Sequence, residues 1–272
     1  MCRWLAYCGD PVFLDQLIFQ PENSLISQSR RALQSISPTN GDGFGIGWYD
    51  LKPEPGLYRD ILPAWADPNL RSLCAQIRSR LFFGHVRAST GTATARANCH
   101  PFQQGRWLFM HNGAIGGFEA LRRDLMLALT PQHFRQLQGT TDSELFFHLM
   151  AGNGLDDDPE GAFARTVGQV LAMMRAAEVD EPLRMTAALS DGQSIYALRY
   201  ASDEAAPSLF YGCGVQPHGC DGKPVGGCES AVLILSEPLD STQNGWHAVP
   251  QSHLLIAGGG AVTVQPFAPA YV

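Results

Sequence analysis

A cysteine stands directly behind the initiator methionine in the opening MCRWLAYCGD. Once Met1 is removed, Cys2 carries a thiol and a free α-amine on one residue, a pair that can act as nucleophile and base together. The opposing reading is a small residue swept into a buried first strand, since free cysteine is among the most buried side chains. Further groups with chemistry fall where the chain changes direction. Arg87 follows the apolar run LFFGHV and precedes ASTGT; an arginine there is either a fork for a carboxylate or an ordinary ion-pair partner. RWLFMHNGAI runs into Asn112-Gly113. Asn-Gly is a turn signal, and a side-chain amide beside a glycine N–H is also the donor pair that an oxyanion hole requires. GTTDSELF sets Asp142 and Glu144 ahead of an apolar helical run. Its T-x-x-E is a capping box with Thr141 as the cap. Asp142 then lies in a first turn, favoured by the helix dipole and able to accept a cationic group.

The elements that must position these groups are mixed. WLAYCG reads as a strand ended by Gly9-Asp10, and FLDQLIF with SLISQSRRAL as a loop and a helical piece. FGIGWYD reads as a strand whose alternate glycines mark a bulge or a close backbone approach. GLYRDILPAW continues in extended form, and LRSLCAQIRS has helical spacing. LFFGHVRAS and RWLFMHNG are apolar runs bounded by turn chemistry, as buried strands are. GFEALRRDLMLAL, SELFFHLMAGN and GAFARTVGQVLAMMRAAEV read as helices, the last capped by DDDPEG. RMTAALSD, SIYALRY, SLFYGCG, AVLILSE and LLIAGGGAVTVQPF return to strand. Strands, then helices, then strands predict an α+β fold rather than repeated βαβ units.

Composition narrows the function classes. The chain has 272 residues, 45% hydrophobic and 17% charged, with a formal net charge of -7. Such a length can bury a sizeable core without staples. No basic run exists, which argues against nucleic acid and against an anionic membrane surface. Arg3, Asp10 and Asp15 interrupt the N-terminus, so it lacks an apolar signal region. No apolar run approaches the roughly 18 residues a membrane helix needs. The cysteines are 7 in number, odd and scattered, which favours reduced thiols and a cytoplasmic location.

Absent motifs narrow it further. There is no G-x-S-x-G elbow, P-loop or H-E-x-x-H. The glycines of NGDGFGIGWYD never match G-x-G-x-x-G. Cys213, His218, Cys220 and Cys228 have gaps that fit no structural zinc spacing, so neither metal nor cofactor is expected.

Cys2 behind Met1, then HVRAST, NCHPF, HNG and GTTDSE in that order, resemble the class II glutamine amidotransferases, which are N-terminal-nucleophile hydrolases. The opening MCRWLAY with NGDGFGIGWY is most similar to the short stand-alone branch, which includes the γ-glutamyl hydrolase of ergothioneine synthesis. The resemblance implies a four-layer αββα sandwich, with residues 1–272 forming a single amidotransferase domain. It implies Cys2 as nucleophile, with Asn112 and Gly113 as the oxyanion hole by side chain and backbone N–H. It places Arg87 on the substrate α-carboxylate, Asp142 on its α-ammonium, and Thr90 in a loop closing over the substrate. His85, His100 and His111 are read as structural. Relatives often carry tryptophan after the arginine and histidine after the loop threonine, where this chain has Ala88 and Gly91. The clamp is therefore expected to be more open.

The implied reaction is hydrolysis of a γ-glutamyl amide, in glutamine or a γ-glutamyl conjugate, through a Cys2 thioester. A small-molecule γ-glutamyl substrate is the expected partner. An ammonia-accepting synthase subunit is the second, and a non-catalytic γ-glutamyl-binding or regulatory subunit is the alternative reading. The chemistry also stands alone: an α-amine titrates at about 7.7–8.0 and a thiol at about 8.5, so part of the pair is reactive at neutral pH.

Overall fold

The computed structural model of the chain describes residues 2–34, 39–89, 91–225, 231–241 and 245–271. In chain order these form β1 (Arg3–Phe13), α1 (Asp15–Ile18), α2 (Leu25–Arg30), β2 (Phe44–Tyr49), β3 (Gly56–Asp60), α3 (Pro68–Gln76) and β4 (Arg78–Val86). Next come β5 (Phe102–Gln104), β6 (Trp107–Ala114), α4 (Phe118–Leu127), α5 (Pro131–Phe134), α6 (Asp142–Gly152) and α7 (Pro159–Ala176). The remaining strands are β7 (Arg184–Ser190), β8 (Ser194–Ala201), β9 (Phe210–Cys213), β10 (Val232–Leu235), β11 (Trp246–Ala248), β12 (His253–Gly258) and β13 (Ala261–Pro266).

Two antiparallel sheets result. One is 7-stranded in the order β11-β9-β10-β1-β4-β2-β3, the other 6-stranded in the order β13-β12-β8-β7-β6-β5. Period-two alternation divides their side chains among three apolar layers. Leu5, Tyr7 and Phe82 pack outward against Leu17, Leu25 and Leu70 of α1, α2 and α3. Trp4, Ala6 and Phe83 point inward and meet Leu108, Met110 and Ala188 of the second sheet. Phe109, Met185 and Leu189 pack outward against Leu125, Phe146 and Phe163 of α4, α6 and α7. The four-layer αββα sandwich follows from this division. The alternate glycines of β2 serve close approach: a Cβ on Gly45 would lie 2.2 Å from the His100 carbonyl oxygen, and one on Gly47 2.8 Å from Leu108 Cδ1.

Helix starts follow their capping chemistry. Thr141 caps α6 by accepting from the Glu144 N–H, and Asp158 of DDDPEG caps α7 by accepting from the Gly161 N–H. The capping box is half made. The Glu144 carboxylate accepts from the backbone N–H groups of Gln138 (2.8 Å) and Gly139 (2.7 Å) instead of reaching back to Thr141.

Several strand readings need correction. β1 does not end at Gly9-Asp10 but runs on to Phe13, with a register shift between Cys8 and Val12 that absorbs the irregular residues. The extended run expected through GLYRDILPAW stops at Asp60, whose carboxylate accepts from the N–H groups of Ile61 and Leu62 and turns the chain. LLIAGGGAVTVQPF is not one strand but a hairpin of β12 and β13. No helix among the described residues is long and apolar enough to cross a membrane.

Candidate active site

The register of the first sheet brings Cys2 to Arg87. Arg3 pairs with Val86 and Trp4 with His85 across β1 and β4, so the residues just beyond those strand ends are neighbours. Alternation puts Cys2 on the inward face with Trp4, and its Sγ lies 3.6 Å from the Ala88 carbonyl oxygen. Burial pushes the Cys2 thiol up from its ordinary range, while the positive charges of Arg87 and Arg3 pull it back. Cys99 differs. It is fully buried, its Sγ donates to the carbonyls of Asp60 and Ala95, and its thiol is also raised by burial.

Arg87 is 3% exposed. Its guanidinium donates to Asp42 O (3.2 Å), Ser89 Oγ (3.3 Å), Thr92 Oγ1 (2.6 Å) and Ala93 O (3.4 Å). Among the described residues it has no carboxylate within ion-pair distance. Asp42 braces it a second way: its carboxylate accepts from the Ser89 N–H at 2.7 Å and its own N–H donates to Arg87 O at 3.0 Å, while the Arg87 N–H donates to Gly43 O. Asn98 ties the same loop to the start of α6, donating to Ala93 O and Thr140 Oγ1 and accepting from the Thr140 N–H.

The second sheet supplies the other side. Asn112 and Gly113 end β6, opposite Thr186 and Met185 of β7. Asn112 is 1% exposed, and among the described residues both atoms of its side-chain amide lack a hydrogen-bond partner. Leaving such an amide unpaired costs about 1–3 kcal/mol, a cost that groups at functional sites carry. Thr186 connects it to the first sheet: its hydroxyl accepts from Trp4 Nε1 at 3.3 Å and donates to Asn112 O at 3.5 Å. Gly113 has φ 151° and a backbone so close to Arg184 that a Cβ would lie 1.9 Å from its carbonyl oxygen, so only glycine fits. Asp142 opens α6. Its Oδ2 accepts from the Ile115 N–H at 2.9 Å, and its Oδ1 from the Ser143 N–H (2.7 Å) and hydroxyl (3.2 Å).

Cys2, Arg87, Gly113 and Asp142 line one open cleft of about 520 Å³. Asn112 is buried beside it rather than lining it, and Thr90 lies outside the described residues. Ala88 and Gly91 also line the cleft, and a Cβ on Gly91 would meet nothing among the described residues within 4 Å. His100 and His111 also line the cleft and His85 sits behind it, with the His85 and His100 rings 4.3 Å apart and His111 Nδ1 2.8 Å from Ser143 Oγ. Burial holds all of them below the ordinary histidine range, His85 at about 3. Neutral at physiological pH, they are weak bases, and their contacts fit the structural reading. No cluster of His, Cys, Asp and Glu suited to a metal occurs among the described residues. Cys228, part of the loop considered for zinc, lies outside them.

An αββα sandwich with a cysteine at the mouth of its inter-sheet cleft is the architecture of the N-terminal-nucleophile amidotransferases. The model of the family "Glutamine amidotransferases class-II" matches residues 20–219, and the chain belongs to that family. A probable glutamine amidotransferase of Saccharomyces cerevisiae is 33% identical over 306 residues, covering 100% of this chain and 85% of its own length. The γ-glutamyl-hercynylcysteine sulfoxide hydrolase of Mycolicibacterium smegmatis is 27% identical over 270 residues, covering 98% of this chain and 100% of its own. Among solved structures, a glutamine aminotransferase class-II domain protein from Silicibacter pomeroyi superposes with a TM-score of 0.75 at 37% identity, covering 99% of this chain and 100% of that one.

Sequence reasoning missed Asp42, Asn98 and Thr186, which hold the site without lining its core. Asp42 had a signal, an acidic residue inside the glycine-rich NGDGFG.

Proposed function

We propose that the protein hydrolyses a γ-glutamyl amide bond through a thioester on Cys2. The observation that carries this is the shared cleft: a thiol, a buried guanidinium and a carboxylate line it, with the Asn112 amide beside it, and among the described residues neither the guanidinium has a carboxylate partner nor the amide a hydrogen-bond partner. With Met1 removed, the α-amine takes the thiol proton, directly or through water, and the thiolate attacks the γ-carbonyl. Asn112 Nδ2 and the Gly113 N–H donate to the oxyanion. The amine gives its proton to the departing nitrogen as the C–N bond breaks. Water then attacks the thioester, the amine takes a proton from it, the Cys2 thiol leaves, and glutamate is released. Arg87 holds the α-carboxylate by exchanging its neutral acceptors for a charged one. Asp142 holds the α-ammonium, and Thr90 belongs to the covering loop.

The substrate is read as a γ-glutamyl conjugate larger than glutamine, cleaved without a partner, with a glutaminase subunit feeding a synthase as the second reading. Ala88 and Gly91 support the choice, because they leave the arginine end of the cleft open. The late strands complete both sheets, which supports reading the described residues as one amidotransferase domain. Cys2→Ala should abolish release of glutamate while leaving melting behaviour intact; retained turnover would defeat the mechanism. Comparing kcat/KM for glutamine with that for bulkier γ-glutamyl amides decides the substrate. Strong preference for glutamine, rising when a cognate synthase is added, would reverse the choice.

A further inference from the structure

Directly behind Cys2 lies a buried ion pair that the chemistry above does not use. Arg3 is 0% exposed and Glu237, from the chain just after β10, is 1% exposed. Arg3 Nε meets Glu237 Oε1 at 2.7 Å. Arg3 Nη1 donates to the carbonyl oxygen of Cys2 at 3.0 Å, and Nη2 to Gln34 O at 2.6 Å. The two Glu237 oxygens accept from the N–H groups of Leu33 (3.0 Å) and Gln34 (2.8 Å). The next residue along β1 is fixed as well: the Trp4 N–H donates to Ser236 Oγ, and the Ser236 N–H to Trp4 O.

We propose that Arg3 and Glu237 are positioning residues for the nucleophile, fixing the Cys2 carbonyl so that its amine and thiol are presented to the cleft in one orientation. The proposal rests on Cys2 being the nucleophile. A terminal residue has no preceding chain to hold it, and rotation about its Cα–C bond would swing amine and sulfur together. The Arg3 bond to its carbonyl fixes the Cys2–Arg3 peptide plane from which the Cα projects, and the contact of Sγ with Ala88 O at 3.6 Å limits the rotation that remains. Attack needs the reacting atoms about 3–3.5 Å apart, and a misplacement of about 1 Å can cost a hundredfold in rate. The guanidinium suits the task because one planar fork reaches the carboxylate, Cys2 O and Gln34 O together, which a lysine ammonium on a flexible stem cannot reproduce.

Stability alone gives a weaker account of the pair. Replacing a buried ion pair by apolar residues of similar volume is often neutral or stabilising, whereas removing one partner is strongly destabilising. That asymmetry gives the test. Wild type, Arg3→Lys and the double variant Arg3→Met/Glu237→Leu, each shown by intact mass to lack Met1, are compared for melting temperature, kcat and KM on a γ-glutamyl amide. Labelling of Cys2 by a γ-glutamyl diazo ketone is followed in parallel. The double variant is expected to melt near wild type with KM little changed, while kcat and labelling rate fall by about ten- to a hundredfold. Recovery of kcat together with melting temperature would overturn the proposal. Should the double variant fail to fold, Arg3→Lys decides: reduced kcat at unchanged KM supports positioning, and wild-type kcat overturns it. Labelling of the wild type at a different cysteine would instead overturn the reading of Cys2, and the proposal with it.

Discussion

The two charged ends of the cleft are held by different means. Asp142 receives its donors from regular structure: the Ile115 N–H just past β6, and the Ser143 N–H and hydroxyl within the first turn of α6. Arg87 gives its hydrogen bonds to loop carbonyls and hydroxyls, none of them charged. The carboxylate is therefore oriented by the same bonds that start a helix. The guanidinium rests on neutral acceptors, which the proposed clamp would exchange for a substrate carboxylate. One end is built for rigidity and the other for exchange.

This contrast can be broken from the centre outward. Short of losing Cys2 itself, the largest effect on rate is expected beside the cleft, at Asn112. Asn112→Ala should lower kcat by about a hundred- to a thousandfold with little change in KM, because the oxyanion exists only during reaction. A raised KM with unchanged kcat would show that the amide binds ground-state substrate instead.

Next come the ends themselves. Arg87→Ala and Asp142→Ala should each raise KM by about ten- to a hundredfold, the worth of a charge-assisted hydrogen bond of about 1.5–3 kcal/mol. They should differ in stability. Asp142→Ala strands the Ile115 N–H and is expected to lower the melting temperature, whereas Arg87→Ala frees only loop acceptors that water can satisfy. Equal melting temperatures would erase the contrast. Asp42→Ala should act more weakly on the exchangeable end, raising KM severalfold at constant kcat, since it removes the brace at Ser89 and leaves the guanidinium in place.

The smallest effect lies behind the cleft. The folded state holds His85 at about 3, below its ordinary value near 6.5. At pH above about 6.5 the ring is neutral folded or unfolded and contributes no pH dependence. Below that the unfolded chain takes up a proton that the fold refuses, so stability falls by up to about 1.4 kcal/mol per pH unit until about pH 3. Chemical denaturation from pH 7 to pH 5 should show this loss, and His85→Gln should make it shallower without abolishing it, since burial also lowers His100 and His111. An unchanged slope in the variant would assign the loss to other groups.

The polar groups most legible in the sequence were those bounded by short-range signals. Thr141 and Asp142 were readable because a cap and its helix lie within a few residues. Asn112-Gly113 and Arg87 were readable because each follows an apolar run that ends abruptly. The groups that hold them were not. Arg3 and Glu237, or Trp4 and Thr186, are separated by most of the chain, and their pairing depends on sheet order, which a single sequence does not display. Short edge strands such as β5 and β11 fell below the length at which alternation can be recognised. The β12–β13 hairpin was hidden because its glycine turn lies inside one apolar stretch. Thr90 lies outside the described residues, so its expected role rests on the resemblance alone.

The central claim is that Cys2 works with its own α-amine, and the state of the N-terminus tests it most directly. Two preparations, one lacking Met1 and one retaining it, each verified by intact mass, are incubated with a γ-glutamyl amide and, separately, with a γ-glutamyl diazo ketone. Turnover and a single adduct on Cys2 are predicted only for the processed protein. Cys99, buried and bonded to two carbonyls, should remain unlabelled in both. Full turnover by protein proven to retain Met1 would contradict the account.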